Sequence, residues 1–586
     1  MRQWMVAAKK ADFYAIAEKF HVDPVVARII RNREVIGEKN IRIYLGGNLS
    51  DLSDPHQMKD MNRLVEILAK KIRKQVRIRI IGDYDVDGVT SSHLFLMALR
   101  RVGAKVDVVI PHRIQDGYGL SLHLLQQAKE DGVDTILTCD NGIAAIDEIA
   151  WAKAQKMTVL VTDHHAVPFE EHEGRRTEKK SLADAVVNPH QQDCGYPYKE
   201  LCGAGVAWNV IRVLYENYDM DKREAEDLLD FVAMATVCDV MSLTGENRIL
   251  VKEGLKRIRH TKNIGLQALM QACNVQPENI SAYHFGYVLG PCVNATGRLD
   301  TARHALRLFE TGQETEAEEI ARDLVDLNQE RKELTLQGVE MAKKLCEEGG
   351  YENDPVLVLF LPDVHESIAG LIAGRIREMY NRPVFVLTRG EEGVKGSGRS
   401  TENYSMYENM CGCAELFTKF GGHPMAAGLS LPEENVEKFR RKINENCPLT
   451  VEEVCPDIHI DMAMPVGYAS TELVHQFALL EPFGKDNPSP LFADRNLSIS
   501  RMWLIGKNRN VLRMSVLSEY GQPVPVIFFG DVETLFAYFT EKFGQEEVEN
   551  ALHGRKNRIL FSMVYTAKID FYQGNENLQL EMKYYR

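Results

Sequence analysis

The sequence predicts an α/β protein of several domains. A parallel-sheet domain comes first, then a long connecting helix, a second and smaller α/β domain, and a closing β-barrel. Three observations carry this reading. Between residues 76 and 188 short β-branched runs alternate with helical stretches, the signature of βαβ units. From Glu314 to Glu348 apolar residues recur at helical spacing and proline is absent. From about Pro456 onward the pattern changes to short strands and turns. A length of 586 residues itself calls for more than one domain.

Composition narrows the class. Hydrophobic residues make up 45% and charged residues 26%, as in ordinary globular proteins. The net charge of -14 excludes a whole-protein basic field, so any nucleic-acid contact must come from local Lys/Arg patches. Eleven cysteines show no C-x-x-C pair, Cys411 and Cys413 being the closest two. That argues against a zinc ribbon or a disulfide scaffold and fits a reducing cytoplasm. The N-terminal stretch is broken by Lys9-Lys10, and no run approaches the ~18 apolar residues of a bilayer span. A soluble, cytoplasmic protein with no membrane association is expected.

The elements follow in order. Residues 1 to about 60 are mixed helical and polar. Strands are expected at Val76–Ile81, Lys105–Ile110, Asp134–Cys139, Met157–Thr162 and Asp184–Asn188. Helices are expected at Ser91–Arg100, capped by Thr90 or Ser91, and at Leu120–Glu130 and Ala144–Gln155. Polar clusters sit at successive carboxyl ends of these strands. Gly82-Asp-Tyr-Asp-Val-Asp-Gly88 follows the first, Pro111-His112-Arg113 the second, Asp140-Asn-Gly142 the third, Asp163-His-His165 the fourth and Asn188-Pro-His190 the last. In open α/β sheets that edge carries the ligand crevice. A bare charged turn explains one such cluster but not their shared placement.

The first cluster begins like a calcium loop, D-x-D-x-D-G. Counting Asp83 as position 1, position 12 is Leu94 rather than a bidentate Glu, and a strand rather than a helix precedes it. The calcium reading fails on both counts. A further carboxylate, Asp239, ends the run Phe231–Cys238, apolar but for Thr236, either as a site residue or as a simple helix-terminal aspartate.

The helix over 314–348 is too long for one compact domain, suits an inter-domain connector, and ends at Gly349-Gly350. Beyond it, a strand at Pro355–Phe360, a helix at Ser367–Tyr380 and a strand at Pro383–Thr388 start the second unit. Two glycine-rich loops are read there, Lys395-Gly-Ser397-Gly-Arg399-Ser400 and Gly421-Gly422-His423-Pro-Met-Ala-Ala-Gly428. Small residues admit an anion, and Arg399 can grip a phosphate. Strands at Asn510–Val516, Val524–Phe529 and Leu578–Lys583 suggest a barrel of the OB type. Lys507, Arg509 and Arg513 with nearby aromatics give it either a nucleic-acid groove or a solvated charged face.

Aspartate and histidine without cysteine select Mn²⁺ or Mg²⁺ over structural zinc. Several carboxylates can hold two such ions about 3.5–4 Å apart, a spacing suited to phosphoester hydrolysis. Without metal, Asp83, Asp85 and Asp87 should raise one another's pKa values.

These residues resemble a family. GDYDVDG, Asp140-Asn-Gly142, Thr162-Asp-His-His165 and Thr236-Val-Cys-Asp239 are similar to motifs I to IV of the DHH phosphoesterases. GSGRS and GGHPMAAG resemble the associated DHHA1-type domain. Leu480-Glu-Pro-Phe-Gly-Lys-Asp-Asn-Pro-Ser-Pro490 resembles the start of the terminal OB-fold in the family's single-stranded-DNA-specific exonucleases. The likeness runs from about residue 60 to 586, in the domain order of those exonucleases rather than of the shorter nanoRNases or pyrophosphatases. It implies an N-terminal segment (1–60), a DHH catalytic domain (61–312), the connecting helix (313–350), a DHHA1-type substrate-binding domain (351–450) and an OB-fold nucleic-acid-binding domain (455–586).

The resemblance implies a hydrolase acting 5′ to 3′ on single-stranded DNA in recombination and repair. It would release 5′-mononucleotides with two Mn²⁺ or Mg²⁺ ions. By motif position Asp85, Asp87, Asp140, His164 and Asp239 would be metal ligands, with Asp140 bridging the ions. Asp83 would ligate or orient, and His165 would contact and polarise the scissile phosphate. Arg113, Arg298 (in Asn294-Ala-Thr-Gly-Arg298), Ser397, Arg399, Gly422 and His423 would hold the strand. A narrow passage between the core domains would exclude duplex. Single-strand-binding protein and a helicase are the implied partners.

Three positions depart from the family pattern: Cys292 where Arg is common, Cys238 where Ala is common, and Ser367 where Gly is common. None is a ligand. Two other readings compete: a DHH phosphodiesterase for short oligonucleotides or cyclic dinucleotides, against which the barrel argues, and a non-catalytic DNA-binding scaffold, against which the occupied ligand positions argue.

Overall fold

Each of the five β-branched runs between residues 76 and 188 is a strand of one parallel sheet. They are β1 (Arg77–Ile81), β2 (Lys105–Val109), β3 (Thr135–Cys139), β4 (Thr158–Thr162) and β5 (Ala185–Val187), in the order β2-β1-β3-β4-β5. These come from a computed structural model that describes residues 3–112, 116, 119–172, 175–299, 301–390, 393–506, 510–572 and 574–586. Arg113, Lys507 and Arg509 lie outside the described residues. The strand order reverses between β1 and β3, and at such a switch point the two following loops diverge and leave a crevice. GDYDVDG and Asp140-Asn-Gly142 leave the sheet there.

The first helix, α1, runs from Val86 to Arg101, five residues longer at its start than the sequence suggests. The cap is Asp85, whose carboxylate accepts from the Gly88 amide at 3.0 Å, so Thr90 and Ser91 lie inside the helix. The "charged turn" is thus mostly a helix N-terminus, where carboxylates meet unpaired amides and the positive end of the dipole. With α2 (Gly203–Asn217) and α3 (Leu229–Cys238), α1 buries a core that includes Phe95, Trp208 and Phe231. A fourth helix, α4 (Gly290–Leu299), follows later in the chain.

His93 lies on α1, its ring 4.5 Å from that of Phe231 and 5.8 Å from that of Phe309. Burial, with a smaller push from Arg100, lowers its pKa to about 3. The folded state therefore holds it neutral while the unfolded chain protonates it near 6.5. Its contribution is complete above 6.5 and shrinks as pH falls toward 3, by about 1.4 kcal/mol per unit. His93→Phe is expected to lose about 2 kcal/mol less stability than the native protein between pH 6.5 and 4.5, measured by urea unfolding.

The connector α5 is one helix over Glu314–Glu348, 35 residues and roughly 50 Å long. Its first half (Ala317, Ile320, Ala321, Leu324) belongs to the core of the first sheet. Its second half (Val339, Ala342, Cys346) belongs to a separate core with α6 (Glu366–Tyr380). The second sheet holds β6 (Leu357–Phe360), β7 (Val384–Gly390), β8 (Gly393–Arg399), β9 (Lys419–His423) and β10 (Ala426–Leu431), ordered β9-β10-β8-β7-β6. The first glycine-rich stretch is therefore a strand rather than a loop, and the second is the hairpin of β9 and β10, turning at Pro424-Met425. Their glycines make room for the core: a Cβ on Gly396 would meet Leu387 Cδ2 at 2.4 Å, and one on Gly398 would meet Met406 Sδ at 2.3 Å. Packing between sheet neighbours, which local sequence does not display, required the small residues.

Residues 48–456 form one compact unit, and residues 3–47 form another with 457–586. The expected segment 1–60 is thus divided. In the second unit β11 (Met462–Ala463) leads into a closed barrel of β12 (Phe492–Ile505), β13 (Val511–Leu517), β14 (Pro523–Phe528), β16 (Asn575–Tyr585) and β15 (Leu560–Tyr572), the last pairing back onto β12. Three helices, Phe13–Phe20, Pro24–Asn32 and Glu38–Gly46, share its core through Val26, Ile29, Ile30 and Tyr44. Arg33 anchors them, donating to Asp461 at 2.7 and 3.1 Å with both side chains under 10% exposed. Removing one member of a buried pair strands the other. Arg33→Ala is expected to cost this unit about 3–5 kcal/mol, read by thermal or urea unfolding.

Candidate metal centre

Four chain segments deliver carboxylates and imidazoles to one place. Asp85 and Asp87 come from the first turn of α1, Asp140 from the end of β3, His164 and His165 from the end of β4, and Asp239 from the C-cap of α3. Three overlapping groups bring their ligand atoms within 4.8 Å: Asp83, Asp85 and Asp140; Asp87, His164 and Asp239; Asp140, His164 and His165. Asp140 is common to two of them. Asp83, Asp87, Asp140 and His164 are buried. The Nε2 of His164 stands 3.0 Å from Asp140 Oδ1 and 3.6 Å from both Asp87 Oδ2 and Asp239 Oδ2.

Local structure holds these groups in place. Asp140 has φ +61, a left-handed conformation rare outside glycine and asparagine. The Asn141 amide staples that turn, donating to Ile81 O at 3.1 Å and Cys139 O at 2.9 Å. The Asp87 carboxylate accepts from the Gly203 and Ala204 amides at 2.6 and 2.7 Å, at the N-terminus of α2. Gly203 can have no side chain: a Cβ there would lie 2.7 Å from Asp140 Cβ. Asp163, the first residue of the Asp-His-His triplet, accepts from the Ile143, His164 and His165 amides at 2.9, 2.7 and 3.1 Å, and from His165 Nδ1 at 2.8 Å. Asn188 donates to His165 O at 2.9 Å.

Asp163, Gly203 and Asn188 were not among the sequence-assigned site residues. The stretch Cys202-Gly-Ala-Gly205 before an apolar helix was the available signal for the second. Nothing local marks Asp163 as an orienting rather than a ligating residue. His112 and His190 end their strands as expected but join no ligand group among the described residues.

Electrostatics follow from burial and crowding. Burial raises the pKa of Asp140 well above the usual range, and Asp87, Asp85, Asp239 and Asp83 raise it further. Burial and Asp87 raise Asp85. Burial lowers His164, keeping a nitrogen lone pair available. Burial also pulls His165 down, but the hydrogen bond and charge of Asp163, with Asp239 and Asp87, bring it up to about 9. Buried like charges are costly unless a cation neutralises them. The donor set fits Mn²⁺ or Mg²⁺: hard carboxylate oxygens with one buried, neutral imidazole whose Nε2 makes no hydrogen bond among the described residues.

Other assigned residues lie beside this centre. Asn294 on α4 accepts from the Val86 amide at 3.2 Å, and a Cβ on Gly297 would meet Tyr84 O at 2.5 Å, so α4 packs against GDYDVDG. The Arg298 guanidinium donates to Ser367 O at 2.7 Å, linking the first sheet's domain to α6. A cavity of about 470 Å³ is lined by Tyr84, Ser367, Lys395, Ser397, Lys419 and Gly421 among others. Ser397 therefore lines a space shared with Tyr84 of the GDYDVDG motif. Arg399 donates to Gly398 O at 2.7 Å next to that space, and Gly422 and His423 sit on β9 at its side.

The fold and the ligand cluster define a metal-dependent phosphoesterase of the DHH class. Residues 77–236 match the DHH family N-terminal domain, residues 353–447 the DHHA1 domain and residues 460–584 the RecJ OB domain. The single-stranded-DNA-specific exonuclease RecJ of Haemophilus influenzae is 32% identical over 582 residues, covering 96% of each chain. The Bacillus subtilis protein of the same name is 32% identical over 512 residues, 87% of this chain and 63% of that one. A crystal structure of RecJ from Thermus thermophilus in complex with Mn²⁺ superposes with a TM-score of 0.81 at 25% identity, covering 100% of this chain and 79% of that one. The chain belongs to the RecJ family.

Proposed function

We propose that this chain hydrolyses single-stranded DNA from the 5′ end, releasing 5′-mononucleotides. The observation that carries the reading is the set of three overlapping ligand groups, linked through Asp140 and His164, at the switch point of the parallel sheet. Asp83, Asp85, Asp87, Asp140, His164 and Asp239 would hold two divalent ions. Such ions supply hydroxide at neutral pH and positive charge at the phosphate oxygens.

The chain's own side chains do the rest. Asp163 fixes the His165 ring through Nδ1, and this oriented imidazole would meet an oxygen of the scissile phosphate. Asn141 and the amides of Gly203 and Ala204 keep Asp140 and Asp87 from moving apart when their charges repel. Lys395, Lys419 and Ser397 around the neighbouring cavity, with Arg298 and Arg399 beside it, suit a phosphodiester backbone. The closed barrel of the second unit suits further strand binding. No described helix is long and apolar enough to cross a membrane, and a cytoplasmic setting with single-strand-binding protein and a helicase as partners fits this role.

Single-stranded DNA labelled at either end and supplied with Mn²⁺ tests the proposal. Immediate release of labelled mononucleotide from the 5′ end alone is the expected result. Release first from the 3′ end would reverse the polarity, and binding with both labels retained would leave a scaffold. Turnover of dinucleotides but not of long strands would turn the reading to a short-oligonucleotide phosphodiesterase.

A further inference from the structure

Two tyrosines beside the metal centre have no role in the fold that explains them. Tyr283 and Tyr287 are 63% and 71% exposed. Their rings nevertheless stack on each other, with centroids 5.1 Å apart and planes 23° from parallel, and His284 meets Tyr283 edge-on at 5.7 Å. Exposed aromatic rings are normally scattered, and a preformed stacked pair is an open π-face.

The backbone under them is unusual. Residues Phe285–Leu289 form a π-helical turn between the short helix Ala282–His284 and α4. Such turns cost regular hydrogen bonding and recur where side chains are re-aimed at a functional site. This one is wedged against the segment that carries a metal ligand. Cys238, the residue before Asp239, donates its thiol to Phe285 O at 3.3 Å. A Cβ on Gly290 would lie 2.3 Å from Cys238 Sγ, and one on Gly286 would lie 3.5 Å from Val237. The chain then continues into α4, whose Asn294 and Gly297 abut GDYDVDG. The glycine face of the turn thus packs on the metal-bearing helix α3, while the neighbouring face presents the two rings to solvent. Val240, just past Asp239, is 63% exposed as well.

We infer that Tyr283 and Tyr287 form a stacking platform for bases of the single strand as it passes the metal centre, resting on the exonuclease reading above. The occupant follows from position and chemistry. The rings adjoin a site built for phosphodiesters, and every base has a π-face that stacks on an aromatic ring without sequence preference. A platform of this kind holds the strand in line while the metal ligands act on the backbone. It acts through positioning, so its loss should raise KM for strands long enough to reach it and leave hydrolysis of a small phosphodiester unchanged.

The test compares the native chain, Tyr283→Ala/Tyr287→Ala and Tyr283→Phe/Tyr287→Phe. Each is mixed, in EDTA, with 12-nucleotide oligothymidylates carrying one 2-aminopurine at successive positions. Native protein should quench the probe at one or two adjacent positions through stacking. The alanine variant should lose the quench and bind roughly 5- to 150-fold more weakly for each base released, while the phenylalanine variant retains both. With Mn²⁺, the alanine variant should hydrolyse bis-p-nitrophenyl phosphate at the native rate. Unchanged affinity and quench in the alanine variant overturn the platform and leave the exonuclease reading standing. Failure of the native chain to bind or cleave single strands overturns both. A slowed small-phosphodiester rate shows disturbance of the metal centre and overturns the positioning role.

Discussion

Replacing Asp140 by asparagine is expected to lower Mn²⁺-dependent hydrolysis of single-stranded DNA by roughly 10³-fold or more, while making the metal-free protein more stable. The two effects have one cause. Asp140 is buried and common to two ligand groups, so its loss removes anionic charge from both. Charge stabilisation by bound ions is worth several kcal/mol in a transition state, and each 1.36 kcal/mol is tenfold in rate. In the metal-free chain the same carboxylate faces Asp83, Asp85, Asp87 and Asp239 with its charged form disfavoured. A neutral isostere relieves that repulsion, so the metal-free variant should unfold at a higher denaturant concentration. Hydrolysis of labelled strands and unfolding in EDTA check the two halves. Activity near the native level would remove Asp140 from the centre. A less stable metal-free variant would show that the carboxylate serves packing instead.

Gly203→Ala is the second large effect. No ligand is altered, yet the added methyl would lie 2.7 Å from Asp140 Cβ and 3.0 Å from its Cα. Either the left-handed turn at Asp140 shifts or the start of α2 does, and α2 supplies the two amides that hold Asp87. Overpacking of this kind costs about 1–3 kcal/mol. A displacement near 1 Å at reacting groups costs on the order of 10²-fold in rate. Loss of both stability and turnover is expected, with weaker Mn²⁺ binding by calorimetry. Gly374→Ala on α6 is the matched control: a Cβ there meets nothing within 4 Å, so stability should rise slightly and activity should not change.

Much of the candidate centre was legible because its carboxylates and imidazoles follow strands, and strands announce themselves through β-branched runs. GDYDVDG, Asp140-Asn-Gly142 and Asp163-His-His165 each stand at a strand's carboxyl end, and the alternation of elements already implied a shared edge. Asp239 was legible as a carboxylate after an apolar run, but ligand and helix terminus were indistinguishable there, and it turns out to cap α3 beside His164. The helix α5 was readable end to end, since its stripe and its terminal glycines are both local signals.

By itself, then, the sequence determined the succession of strands and helices, the long connector, and the kinds of atom available to a metal, because periodicity and residue chemistry are written along the chain. The tertiary structure alone decided what touches across it. It made Asp163 the group that holds His165, set Gly203 against Asp140 and turned the glycine-rich stretches into a strand and a hairpin of one sheet. It also gave residues 3–47 to the barrel through Arg33 and Asp461, 428 positions apart. Those outcomes depend on distance between segments and on which buried charge or empty space needs a partner, and neither quantity has a local signature.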